Sequence, residues 1–488
     1  MQQTAEEAKA AGRVRQIGLV AGAACFLALL FAPLPPGMPA PAGAVAALAA
    51  LMAIWWMTEA LPLAATALLP IVVLPLLAQA PIEAVTPAYA HPLIFLFLGG
   101  FFIARALERW HLHRSLALYL ARIGGGGPSA LVGALMVATA LLSMWISNTA
   151  AALVMVPIGQ LVVRQRRPDL SDDASETDFA AAMMLGIAFS ASIGGMATLI
   201  GTPPNALFAA FLQKSYGIEI GFARWMAIGL PVTLTLLPVT WLILTRLAFR
   251  VPRHFETQPE TDRSAPEIQP PLSKPAKTAA LVILLAALAL VFRPALQGLA
   301  PGLPLSDSGI AMTAALVLFA TPARWSDRTM LLTWDDVHTI RWDVLILFGG
   351  GLALASAIDE SGLSRWIGSG FEALGHWPLA LTVLAAMVVV VYLGELASNT
   401  AMAAVFLPVA GAAAAALGQP PMTLLLPVAL AASLGFMLPV ATPPNAIVFG
   451  SGDVSAAQML KAGAILNVAG IVVVYVIATL LGPMVFAG

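Results

Sequence analysis

Charge and cysteine are scarce in this chain. Only 10% of its 488 residues are Asp, Glu, Lys or Arg; a soluble domain carries roughly 25%. With 60% of its residues hydrophobic, no soluble fold of this length could hide the apolar surface. The class is therefore a polytopic membrane protein, all-α by its long apolar runs. One cysteine, Cys25, rules out an intrachain disulfide and a cysteine-based metal centre. A net charge of −1 supplies no global field for nucleic acid or an acidic partner. The six histidines, His91, His111, His113, His254, His338 and His376, stand at loops or span ends. Only His111 and His113 are close, and at i, i+2 on a helix they would point apart. The glycines of 124–127 lack the strand-then-helix setting of a phosphate loop and read as a flexible lead into the next segment. No nucleophile–base pair or metal-ligand set occurs at membrane depth, so an intramembrane enzyme finds no support. A passive anion channel remains open from composition alone.

A membrane helix needs about 20 apolar residues. Runs that qualify lie near 17–34, 42–58, 62–79, 92–108, 179–212, 225–247, 278–296, 308–322, 342–358, 422–452 and 462–486. Two further segments, 128–163 and 378–417, each hold a polar triplet, Ser147-Asn148-Thr149 and Ser398-Asn399-Thr400. Each is long enough for two short helices meeting at a polar tip, so both are expected to be re-entrant hairpins, leaving about eleven crossings. With the N-terminus inside, only Lys214, Arg224, Arg293 and Arg365 of the 24 Lys and Arg fall outside. That bias supports a cytoplasmic N-terminus, an outside C-terminus and hairpins that do not cross. The first apolar run follows a polar, mixed-charge start and reads as a retained span, not a cleaved signal. The expected location is the cell's inner (plasma) membrane.

The chain repeats itself. "LFLGGFFIARAL" at 96–107 matches "LFGGGLALASAI" at 347–358, and "SNTAAALVMVP" at 147–157 matches "SNTAMAAVFLP" at 398–408 at seven of eleven positions. Both pairs share an offset of 251, while "TPPNA" recurs at 202–206 and 442–446 with an offset of 240. Three motifs kept in order mark an internal duplication. Five crossings between the two triplets point the halves in opposite directions, a plan common among secondary transporters. The expected organisation is a cytoplasmic N-terminus and extra first span (1–41), a first inverted repeat (42–250), a polar, Pro-rich cytoplasmic linker (251–277) and a second inverted repeat (278–488). The first repeat carries hairpin 128–163 and broken helix 179–212; the second carries hairpin 378–417 and broken helix 422–452.

The motifs suggest chemistry. Two successive prolines remove backbone donors and break the helix, and lipid cannot satisfy the carbonyls this frees. Thr202 or Thr442 can cap the restart, with Pro203 or Pro443 as its first residue. Each break offers carbonyls to a cation and a positive helix start to an anion. Ser and Asn at a hairpin tip can cap the next helix and turn oxygens toward a hard cation such as Na⁺, or donate to carboxylates. Isolated, such triplets serve as packing glue and such prolines as kinks; four in paired, inverted register point to a midplane site. Glu395, three residues before Ser398, reads either as a proton carrier or cation attractor, or as a group paired on the hairpin's protein-facing side. Glu59, beside two tryptophans, reads as interfacial.

From about residue 42 onward, the paired SNT and TPPN motifs resemble those of the divalent anion/sodium symporter family, the sodium-coupled di- and tricarboxylate transporters. The resemblance implies a homodimer with a scaffold part and a transport part moving as an elevator. It implies one sodium site at Ser143, Ser147, Asn148 and Gly201, and a second at Gly394, Ala397, Asn399 and Ala441. It implies substrate carboxylates at Ser147, Asn148, Thr149, Ser398, Asn399 and Thr400, with Thr202, Thr442 and Pro443 beside them. No cofactor is implied beyond Na⁺ as coupling ion. Gly394 departs from the family, which often has threonine there. The expected function is sodium-coupled uptake of C4-dicarboxylates such as succinate, malate or fumarate; a sodium-independent exchanger, or a citrate or sulfate transporter of the same fold, is the alternative.

Overall fold

The computed structural model describes residues 2–78, 80–113, 115, 127–165, 174–251, 272–324, 329–371 and 377–486. Most of the expected linker at 251–277, glycines 124–126, His254 and His376 lie outside them. The fold is mostly helical, with one short antiparallel strand pair, Pro322–Arg324 and Thr329–Met330.

Among the described residues nine helices are long and apolar enough to cross a membrane: 12–31, 40–58, 82–109, 177–196, 222–248, 274–291, 342–360, 399–416 and 456–486. Three expected spans are shorter. The run at 62–79 divides into Leu63–Thr66 and Leu69–Leu77, that at 308–322 is Asp307–Ala320, and that at 422–452 is split by its Pro-Pro break. Hydropathy reads composition and misses breaks at polar or prolyl positions.

Helix ends follow local chemistry. Ser273 accepts the Ala276 N–H at 3.3 Å and Ser306 the Gly309 N–H at 3.0 Å, satisfying donors that a helix start leaves free. His111 takes a positive φ of 52°, which ends the helix there. The His111 and His113 rings therefore face each other edge-on at 6.1 Å, not apart as regular helical spacing predicts. Exposed Glu59 pairs with Arg15 at 3.1 Å.

The two SNT segments use the same helix lengths. The first hairpin segment is Pro128–Ser143 followed by Asn148–Gln165; the second is Leu379–Gly394 followed by Asn399–Ala416. Each incoming arm has 16 residues, about 24 Å of helix at 1.5 Å per residue, against a hydrocarbon core of about 30 Å. The breaks separate Ala174–Met196 from Pro203–Tyr216, and Met422–Ala431 from Pro443–Gly450.

The halves interlock by exchange. The helix restarting at Pro443 packs on the first half's arm from Asn148, and the one restarting at Pro203 packs on the second half's arm from Asn399. Gln160 Nε2 donates to Asp453 Oδ2 at 2.8 Å across the first contact. The Phe189 and Phe436 rings meet at 5.2 Å between the two breaks. The glycine motifs cross over likewise. A Cβ at Gly99 would lie 2.7 Å from the Ala311 carbonyl carbon, and one at Gly350 would strike the Ala67 carbonyl oxygen. Glycine is required at both because backbone meets backbone.

Beyond the spans, Arg109 pairs with Asp336, which also accepts from the Thr333 hydroxyl at 2.7 Å and the Thr333 N–H at 2.9 Å. Burial opposes ionisation of Asp336, but the Thr333 hydrogen bonds and the Arg109 charge outweigh it and hold its pKa below the ordinary aspartate value.

Gly350→Ala is expected to destabilise by about 1–3 kcal/mol, the usual range for overpacking, and to lower the thermal midpoint in detergent. Gly298→Ala, which meets nothing within 4 Å, should leave the midpoint unchanged or slightly raised. Equal midpoints for the two variants would refute the close-approach account.

Candidate functional site

The two breaks are held open in the same way. Asn205 Nδ2 donates to the Gly195 carbonyl at 3.0 Å and the Thr198 carbonyl at 2.8 Å. Asn445 Nδ2 donates to the Gly435 carbonyl at 3.1 Å and the Leu438 carbonyl at 3.0 Å. These are equivalent residues at the 240 offset. The last letter of TPPN thus donates to carbonyls around the break, two of which, Thr198 and Leu438, also accept a backbone N–H, from Gly201 at 3.3 Å and Ala441 at 3.2 Å. Sequence reasoning quoted this asparagine twice but did not single it out; its repetition was the available signal.

In the first half the structure brings Ser143, Asn148 and Gly201 together. The Ser143 hydroxyl lies 2.7 Å from Asn148 Oδ1 and 2.6 Å from the Ala191 carbonyl. A hydroxyl has one proton to donate, so one of these oxygen pairs meets without a hydrogen. A Cβ at Gly195 would strike Asn148 Oδ1 and lie 3.1 Å from the Gly201 carbonyl. Oxygens in excess of protons, converging around a glycine, suit a hard cation. Gly195 was not predicted, since its role depends on a fold that returns to Asn148. Ser147 caps the outgoing arm by accepting the Ala150 N–H at 3.2 Å.

The second half is similar but not identical. Ala397, Ala441 and Gly394 are buried beside half-buried Asn399. Asn399 Oδ1 is buried with no hydrogen-bond partner, and so are Asn205 Oδ1 and Asn445 Oδ1. A buried acceptor left unpaired costs roughly 1–3 kcal/mol, which a bound cation or donor would recover. A Cβ at Gly435 would lie 3.6 Å from Asn399 Oδ1 and 3.4 Å from the Ala441 Cβ. Gly394 faces only Met402 Cγ, at 3.6 Å, so space remains where the family's threonine would stand.

Two capping expectations divide. Thr442 accepts the Asn445 N–H at 3.3 Å, but Thr202, equally extended before Pro203, makes no side-chain cap. Ser147 caps its arm, but Ser398 does not. The helix starts are formed by backbone and proline, leaving the Thr202 and Ser398 hydroxyls uncommitted to capping. Thr149 is half-buried, Thr202, Thr400 and Thr442 are buried, and Pro443 is exposed.

Glu395 has an unexpected set of partners. Its carboxylate is 3% exposed. Oε1 accepts the Phe436 and Met437 N–H groups at 2.9 and 3.0 Å and the Asn467 amide at 2.6 Å. Oε2 accepts the Met437 and Leu438 N–H groups at 3.0 and 2.9 Å. Successive N–H groups form a nest for an anion. The carboxylate therefore fills the break of its own half, which supports the protein-facing reading of Glu395. In the first half the equivalent connection is neutral: the Thr198 hydroxyl donates to the Met144 carbonyl at 2.6 Å.

Glu395→Gln would replace an acceptor with an NH₂ facing backbone donors. It is expected to cost about 1.5–3 kcal/mol, the range for hydrogen bonds to charge, read as a lower thermal midpoint. An unchanged midpoint would sink this account.

Comparison with known proteins accords with this geometry. A family described as "Sodium:sulfate symporter transmembrane region" matches residues 13–487, beginning earlier than the motifs alone indicated. The sodium-dependent dicarboxylate transporter SdcS of Staphylococcus aureus strain USA300 is 37% identical over 476 residues, covering 96% of this chain and 91% of its own length. SdcS of strain bovine RF122 gives the same identity and coverage. Among solved structures, the YdaH transporter of Alcanivorax borkumensis has a TM-score of 0.54 at 15% identity, covering 80% of this chain and 86% of its own. MtrF of Neisseria gonorrhoeae has a TM-score of 0.53 at 13% identity, covering 91% and 96%. At those identities the structural likeness concerns fold alone.

Proposed function

The chain belongs to the sodium:sulfate symporter family, and from that membership we propose that it takes up C4-dicarboxylates, such as succinate, malate or fumarate, together with Na⁺. The observation that carries this reading is the pair of oxygen-rich clusters at the crossed hairpin tips and breaks. Ser143, Ser147, Asn148 and Gly201 hold one cation. Gly394, Ala397, Asn399 and Ala441 hold the other, through the unpaired Asn399 Oδ1 and backbone carbonyls. The substrate carboxylates lie between Ser147-Asn148-Thr149 and Ser398-Asn399-Thr400, with Thr202, Thr442 and Pro443 beside them.

The mechanism follows from charge. None of these residues is Lys or Arg, so a dianion needs bound cations and the positive helix starts for neutralisation. Cations first complete the Asn oxygens, and the polarised tips then donate to the carboxylates. Moving more positive charge than the substrate carries couples uptake to the membrane potential, about 2.3 kcal/mol per charge per 100 mV. The two short-armed segments act as re-entrant hairpins, and the site-bearing body moves as an elevator against a scaffold within a homodimer in the plasma membrane. The N-terminus lies in the cytoplasm and the C-terminus outside.

Radiolabelled succinate uptake into proteoliposomes tests this. An inward Na⁺ gradient should give accumulation above equilibrium, and choline replacement should abolish it. Asn148→Ala together with Asn399→Ala should lower the rate at least tenfold in folded protein; undiminished uptake would reject the site.

The absent hydroxyl at Gly394 supports a second reading, a sodium-independent dicarboxylate exchanger. Counterflow in sodium-free buffer separates the two. Under the symport reading, Gly394→Thr, whose Cβ would make ordinary contact with Met402 Cγ at 3.6 Å, should lower the half-saturating Na⁺ concentration; an unaltered Na⁺ dependence in folded protein would remove Gly394 from the cation site. If folded protein takes up no succinate, citrate and sulfate are the next substrates to try.

A further inference from the structure

The two breaks match in sequence but not in exposure. Ile200 is 9% exposed, whereas its counterpart Val440 is 74% exposed. At the hairpin tips, Leu396 is 66% exposed, while its counterpart Trp145 is half-buried. One side of the site is therefore sealed and the other open.

Three contacts close the sealed side. Ile200 packs over Gly100, whose Cβ would lie 3.4 Å from Ile200 Cδ1. The Trp145 ring lies 6.0 Å from Phe222. The Phe222 N–H donates to Asp307 Oδ2 at 2.6 Å. Asp307 is 6% exposed, and its Oδ1 lies 3.0 Å from Arg293 Nε at ion-pair distance without hydrogen-bond alignment. Arg293 also reaches Glu219 at 3.4 Å. The turn carrying Glu219 and Phe222 directly follows the helix that restarts at Pro203. Trp225 Nε1, donating to the Met196 carbonyl at 3.0 Å, fastens the start of the next helix to the break itself. Asp307 belongs instead to a helix that packs with Pro92–Arg109 around a second, smaller core containing Phe102, Ala279, Ala315 and Leu318, and Arg293 to the short helix Arg293–Leu299 that packs on Lys274–Val291 of that core.

We propose that Asp307 is a latch that holds the site-bearing body in this one-sided arrangement by gripping the Phe222 N–H, with Arg293 holding the carboxylate in place. The inference rests on the moving-body reading above. Release lets the Ile200 side open and the Val440 side close. The repeat identifies where Val440 then rests: Gly351, the counterpart of Gly100 at the 251 offset, on the Trp342–Glu360 helix. A latch must part without stranding bare charges, because an unpaired buried ion costs several kcal/mol. A pocket of about 300 Å³ lined by Glu219, Gly221, Ala223, Arg224, Arg293 and Pro294 borders the Arg293 side of the pair and provides room for water as it separates.

Thiol labelling of the full-length protein in proteoliposomes tests the latch without requiring transport. Cys25→Ala removes the single native thiol, and Val440→Cys or Ile200→Cys is then added. With Asp307 intact, a small maleimide should modify Val440→Cys at least tenfold faster than Ile200→Cys. Asp307→Ala should speed labelling at 200 and slow it at 440, changing the ratio of the two rates by roughly tenfold where one charge-assisted hydrogen bond is lost. Asp307→Asn keeps an acceptor for Phe222 and should shift both rates less. Unaltered rates in Asp307→Ala would overturn the latch. So would rates that rise together, since local unfolding exposes both sites. Faster labelling at 200 than at 440 in the parent would overturn the open-side assignment. Failure of succinate uptake with the expected labelling pattern would count against the substrate reading alone.

Discussion

A peptide group removed from water must find a partner inside the protein, and this fold is organised around that requirement. Each Pro-Pro step restarts a helix beyond a non-helical break, where no solvent can satisfy the carbonyls around it. Asn205 and Asn445 reach back to bind two of those carbonyls each. With the breaks held in shape, the restarted helices can begin beside the hairpin tips of the opposite half. The exchange of partners between halves then sets the helix restarted in each half against the arm that follows the triplet of the other.

The same requirement explains what each half leaves unmade. Amide nitrogens of the TPPN asparagines are used, while their oxygens, with that of Asn399, remain buried acceptors. Around Ser143 the oxygens outnumber the available protons. In the proposed symport such a site stays neutral until a cation arrives, and a dianion then meets a positive surface, so the order of binding would follow from the hydrogen-bond inventory of a few neutral residues.

Much of this was legible in the sequence because the duplication converts weak signals into paired ones. Hairpin arms, breaks and the SNT positions emerged from spacing and from the need to shelter polar groups. Arm lengths and span count were less accessible: Leu63–Leu77 is uniformly apolar yet forms two helices. Gly195, Gly435 and the partners of Glu395 were hidden because their meaning depends on contacts across 36 or more residues. Gly195 resembles any small residue of a membrane helix until Asn148 Oδ1 is found against it. Asp307 and Phe222, 85 residues apart, give no hint of each other in the linear pattern.

The halves no longer tolerate substitution for one another. The first closes its break with a neutral hydroxyl, Thr198 on the Met144 carbonyl, and the second with a buried anion, Glu395 among the N–H groups of 436–438. Met144 stands in the first half where Glu395 stands in the second, so exchanging that one residue alone would leave the nest without its anion. The ancestral symmetry therefore survives as architecture but not as interchangeability.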